Sequence, residues 1–105
     1  MALLTVRITQ NGAGTFVIEP AAAGFRAVVV SFSLDIPTAT ALPQFESGAT
    51  VIAGPYGTVP GMIYMAGTRQ DPLFATAVNQ NLELVLAGAG LVSGHVTYYM
   101  ERVIT

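Results

Sequence analysis

The chain has 105 residues, one domain's worth, with a net charge of −2 and only 10% charged residues, against about 25% in an ordinary soluble domain. It has no Lys and no Cys, and its cations Arg7, Arg26, Arg69 and Arg102 are scattered. Without a basic stripe to neutralise phosphates, nucleic-acid binding and electrostatic membrane binding are excluded. Disulfides and thiolate metal sites go with the cysteines. The 52% of apolar residues excludes disorder.

The dominant period along the chain is two, the spacing of half-buried strands. Leu4, Val6 and Ile8 alternate with Thr5, Arg7 and Thr9, and Asn11-Gly12 marks a turn because both residues tolerate positive φ. Phe16 and Ile18 follow, stopped by Pro20, and 21–24 reads as a connector. The longest strand signal runs from Phe25 to Ile36: Val28, Val30, Phe32, Leu34 and Ile36 face one way, Ala27, Val29, Ser31, Ser33 and Asp35 the other. Gln44-Phe45 and residues 50–53 flank Ser47-Gly48 as a short hairpin or bulged strand. Turns at 54–57 and Pro60-Gly61 precede a short strand at 62–65 and a polar loop at 67–72.

The segment 72–86 has two readings. Leu73, Phe74, Ala77, Val78, Leu82 and Leu86 form a helical stripe behind an Asp71-Pro72 start. Against it, Asn79-Gln80-Asn81 is a turn cluster and Leu82, Leu84 and Leu86 alternate, so strand–turn–strand is preferred. In the last strand, 92–104, Val92, Val96, Tyr98 and Met100 face inward while His95, Thr97, Tyr99 and Glu101 face outward.

About eight strands and no confident helix imply an all-β fold: a single-domain, eight-stranded, jelly-roll-like antiparallel β-sandwich. Counted in chain order, the expected sheets are 1-8-3-6 and 2-7-4-5, with strand 1 at 3–9 and strand 8 at 92–104. First and last strands are then neighbours, which brings Arg7 and Glu101 within pairing reach.

Chemistry is thinly supplied. His95 is the single histidine, whereas a cupin-type metal site uses two or three. No G-x-S-x-G elbow offers a nucleophile. Glu19, Glu83 and Glu101 fall on outward positions of separate strands rather than converging as glycosidase carboxylates do. The Gly-rich pieces at 54–57 and 88–90 are followed by neither helix nor Lys, so they are turns and not phosphate cradles. The expectation is a protein without catalytic residues, cofactor or metal.

The uncharged stretches 47–68 and 84–100 are broken by Pro and Gly and lack the ~20-residue apolar run of a membrane helix. The first residues carry no cationic and apolar leader pattern, so the expected place of synthesis and assembly is the cytoplasm. Low charge with a mean hydropathy of +0.60 suggests a surface covered by copies of the chain or by a partner, because interface centres are depleted in charge. The expected contacts are Tyr56 in its turn, Arg69 in the 67–72 loop, the outer face of His95, Thr97 and Tyr99, and the N-terminal residues 1–4.

Residues 25–104 carry, in order, a strand over 27–34, then Phe45-Glu46-Ser47-Gly48, Val51-Ile52-Ala53-Gly54-Pro55, Pro72-Leu73-Phe74-Ala75-Thr76, Leu82-Glu83-Leu84-Val85-Leu86 and Val92-Ser93-Gly94-His95-Val96-Thr97-Tyr98. In order and spacing this resembles the small jelly-roll proteins that decorate or cement the capsids of tailed bacteriophages. The resemblance implies a non-enzymatic virion protein that clamps neighbouring major-capsid subunits from outside, a homotrimer in preference to a dimer, assembled in the bacterial host cytoplasm. Related jelly rolls also serve as tail or receptor-binding heads that recognise a carbohydrate or host surface, and this is the alternative.

Overall fold

The computed structural model describes residues 2–103; residue 1, expected at a contact, and residue 104, expected to end the last strand, lie outside them. Among the described residues there are nine strands and no helix: β1 (Leu4–Asn11), β2 (Gly14–Glu19), β3 (Phe25–Ile36), β4 (Pro43–Ser47), β5 (Thr50–Ala53), β6 (Gly61–Ala66), β7 (Phe74–Ala75), β8 (Leu82–Leu86) and β9 (Leu91–Arg102). They form two antiparallel sheets, β1-β9-β3-β6 with β7 also on β3, and β2-β8-β4-β5. With the two-residue β7 set aside and the rest renumbered, these are the expected orders. The chain switches sheets at nearly every connection, which is the jelly-roll path.

The sheets pack through their alternating inward residues. Ile8, Leu34, Leu82, Leu84, Leu86, Val92 and Val96 are fully buried between them. Phe32 and Phe45 sit at the centre with Tyr56 and Phe74 against them, ring centroids 4.9 to 6.4 Å apart and tilted or edge-on, the arrangements that aromatic quadrupoles favour. Residues 72–86 are strand–turn–strand, not helix. Asn79 holds the turn in the left-handed region (φ 65°), and its Oδ1 accepts a 2.7 Å hydrogen bond from the Gly24 N–H. An amide that can bond locally makes Asn one of the few residues suited to that conformation.

Strand β3 departs from the expected alternation. Its pairing with β9 slips between Val29 and Ser31, leaving Val30 as an extra residue. Ala27 and Val29 therefore join Phe32, Leu34 and Ile36 in the main core, while Val28 and Val30 turn to the outer face and bury a second cluster with Tyr99. A bulge of one residue exchanges the faces of everything on one side of it. It also divides the neighbouring edge: β6 pairs residues 31–36 and β7 pairs residues 28–29.

The cross-strand ion pair is not Arg7–Glu101. In the register of β1 with β9, Arg7 lies opposite His95, and Glu101 lies opposite Arg26 of β3. The Arg26 Nε donates to Glu101 Oε1 at 2.6 Å. Both side chains are partly exposed, so solvent screening holds the pair to about 1 kcal/mol or less.

Among the described residues a polar side-chain contact joins strands of the two sheets. Tyr98, 2% exposed, projects inward from β9 and donates its hydroxyl to Glu19 Oε1 of β2 at 2.7 Å. Burial, then the hydrogen bond and the Glu19 charge, push the phenol far above its ordinary value. The folded chain thus keeps this proton at pH values where the unfolded chain, with a pKa near 10, loses it. Stability from this group is complete below about pH 10 and falls as pH rises further. Tyr98→Phe is expected to lower stability at neutral pH by about 1 kcal/mol and to flatten part of the loss above about pH 10. Urea unfolding on both sides of that pH measures it; an unchanged alkaline slope would remove Tyr98 as its source.

Candidate partner-binding surface

The residues expected at a contact do not form one patch. Tyr56 is half-buried against Phe32 and Phe45, and burial raises its phenol pKa. Tyr99 is on the outer side of β9 as expected but is only 8% exposed. The 67–72 loop lies across it: the Arg69 guanidinium sits 5.6 Å from the Tyr99 ring centroid, a cation–π distance. The loop is closed by the Thr68 N–H donating to the Asp71 carbonyl at 3.0 Å and the Asp71 N–H donating back at 3.2 Å. It is anchored to the bulge by the Gly67 N–H donating to the Val30 carbonyl at 2.7 Å. Arg69 is therefore exposed but is the cover of a small apolar cluster.

His95 and Thr97 do lie on an open outer sheet face. Register places Arg7, His95, Ser33 and Tyr64 side by side across β1, β9, β3 and β6, and Thr9, Ser93, Asp35 and Met62 in the next row. Thr5 and Thr97 share a 3.0 Å hydroxyl hydrogen bond one step further along. Between the first two rows lies a shallow depression of about 320 Å³, lined by Arg7, Ser33, Asp35, Ser93, His95 and, from β6, Met62. No group of three His, Cys, Asp or Glu among the described residues is placed to hold a metal ion, and no helix among them is long and apolar enough to cross a membrane.

The most apolar exposed surface was not singled out from the sequence. Strand β6 pairs with β3 along one edge and carries no charge from Gly61 to Ala66. Met62 is 76% exposed, Tyr64 72% and Met65 40%, and Val59 just before the strand is 76% exposed. The other sheet-end strands carry devices that discourage pairing: β1 bears Arg7, β2 is bulged beside Glu19, and β5 is four residues long with a register slip. The available signal was a strand apolar on both faces within the uncharged 47–68 stretch. A strand with no polar face is either sandwiched or waiting for a cover.

No family model matches the chain, and no curated protein matches it. Among solved structures the chain is similar to one in the acidic stable capsid structure of Helicobacter pylori bacteriophage KHP30, with 12% identity and a TM-score of 0.51 over 100% of this chain and 95% of that one. It is also similar to one from Bacillus endospore appendages, described as a novel family of disulfide-linked pili, with 16% identity and a TM-score of 0.47 over 99% and 88%. At 12% identity the phage likeness is one of fold.

Proposed function

We propose that the chain is a structural virion protein, a decoration or cement protein that seats on the outside of a phage major-capsid shell and stabilises it by binding, without catalysis. The observation that carries this reading is the unprotected apolar edge of β6, because such an edge in a stable protein calls for a partner. The fold shared with a chain of a phage capsid structure supports it, as does the scarcity of charge. The partner is the major capsid protein, and the chain itself is a homo-oligomer, a trimer in preference to a dimer. Binding combines main-chain hydrogen bonds along β6 with burial of Val59, Met62 and Tyr64. Of the contacts expected from sequence, His95 and Thr97 keep an open face, whereas Tyr56 and Tyr99 are used inside the fold.

Co-sedimentation with shells assembled from the major capsid protein of the phage that carries it tests the reading. The chain is expected to saturate the shells and raise their melting temperature. The double variant Met62→Lys, Tyr64→Lys is expected to bind at least about tenfold more weakly while its own melting temperature stays within a few degrees, since both side chains are open. A chain that stays in the supernatant overturns the proposal. Light scattering in low and high salt should show a mass near three chains, little affected by salt if the interface is apolar; a monomer removes the oligomer from the reading.

A further inference from the structure

The outer face of the β1-β9-β3-β6 sheet presents polar side chains that the fold does not use. Arg7 and Asp35 are both exposed, and the ion pair found among the described residues is Arg26–Glu101, so neither charge has an ion-pair partner among them. They are on β1 and β3 with β9 between them, two strand spacings across and two residues along, about 12 Å apart at the backbone. His95, Ser33 and Ser93 fill the interval and line the depression with them.

The geometry points to this depression as a binding site for a carboxylate-bearing saccharide. Arg7 offers the planar fork that matches a carboxylate, with the His95 imidazole in register beside it. Asp35 accepts only, and sugar hydroxyls donate in pairs to such a carboxylate. Ser33 and Ser93 donate or accept as the ring requires. Met62, on the Asp35 side, gives the C–H face of a sugar ring an apolar wall.

Other ligand classes fit poorly. Strands β9 and β3 have neighbours on both sides, so no backbone edge is open here for a peptide strand. One Arg is not a phosphate-neutralising stripe. The depression is shallow and open to solvent, unlike the pockets that enclose apolar ligands. A bare inorganic anion would use Arg7 but be repelled by Asp35. A ligand acidic at one end and hydroxylated at the other satisfies both. The charged groups of the site are on β1 and β3, and Met62 is the one lining residue it shares with the β6 edge, so its preference for acidic sugars can be tested on the free chain.

Amide NMR titration of the intact chain tests this, with trigalacturonate and sialyllactose as acidic probes and galactotriose and acetate as controls. Saturable shifts at residues 7, 33–35 and 93–95, with a dissociation constant on the order of 1 mM, are expected for an acidic probe. Arg7→Ala and Asp35→Asn, both at exposed positions, should each weaken binding about tenfold or more with the rest of the spectrum unchanged. Arg7→Lys, which keeps the charge but loses the fork, should fall between. No shift with either acidic probe, equal shifts with galactotriose or acetate, or binding that survives both variants overturns the site. Shell co-sedimentation of the same variants is expected to be unaffected, so failure here and failure of the capsid reading are separable.

Discussion

Replacing Gly94 by alanine is expected to remove about 4 kcal/mol or more of folding stability, a large part of the roughly 5–15 kcal/mol that a domain has. Gly94 adopts φ 154°, and a Cβ there would overlap the Ser33 carbonyl oxygen, with the Ser33 carbonyl carbon at 2.8 Å and the Leu34 Cα at 3.1 Å. These are backbone atoms of β3, so no side chain can rotate away. Relief requires parting β3 from β9, the long central pair that carries both flanks of the sheet. Gly12 is the control: it too has positive φ, at 91°, but nothing lies within 4 Å of its added Cβ, so Gly12→Ala should show only the local backbone penalty of about 1–2 kcal/mol. Urea unfolding of the two variants separates steric exclusion from conformational strain. Equal losses in both would mean that the strands do not approach as described.

Truncating Phe45 to alanine is expected to cost about 3–5 kcal/mol. Phe45 is fully buried and touches rings from three other segments: Phe32 of β3 at 4.9 Å, Phe74 of β7 at 5.1 Å and Tyr56 at 6.4 Å between centroids. Its loss leaves a cavity whose walls belong to both sheets, so collapse would require the sheets themselves to move closer. Phe45→Leu, which refills most of the volume, should cost only about 1.5 kcal/mol or less. A second readout is independent of global stability. Burial holds the Tyr56 phenol above its ordinary pKa, and water entering the Phe45→Ala cavity should bring it down toward that value. Ultraviolet titration of the folded variant, with the same variant carrying Tyr56→Phe subtracted to isolate this phenol among the four tyrosines, reads this. If Tyr56 titrates as before, the cavity has closed or stayed dry.

Much of this fold was legible because most strands bury one face and leave the other partly open. The alternations at 4–9 and 82–86, with Pro and Gly between, suffice to place strands, and pairing first with last yields the jelly-roll orders. What escaped was set by pairing rather than by local pattern. Nothing around Val30 announces an extra residue: 25–36 alternates acceptably throughout, and both sides of 27–30 are apolar. The slip at Val30 reassigns those residues and lets Tyr99 find apolar company on the outside. The ion pair failed for a similar reason, since adjacency of two strands does not fix register, and here register sets Arg7 against His95 and Glu101 against Arg26. His95 and Thr97 could be assigned to an outer face from alternation alone. The depression could not, because it draws on β1, β3, β6 and β9 together. The exposure of Met62 and Tyr64 follows from β6 ending its sheet, a fact of topology.

Placing the last strand between the first and the third also sets when the molecule can fold. Leu4 waits for Tyr98 and Asn11 for Leu91, so neither β1 nor β3 has its main partner until β9 has been synthesised. Folding is then a concerted event dominated by distant pairings, the kind that takes milliseconds to seconds rather than microseconds. During that interval the uncharged β6 is exposed on a nascent sheet whose other strands are also unpaired. Misassembly between chains should therefore rise with the rate of synthesis, and slower expression should recover more native protein.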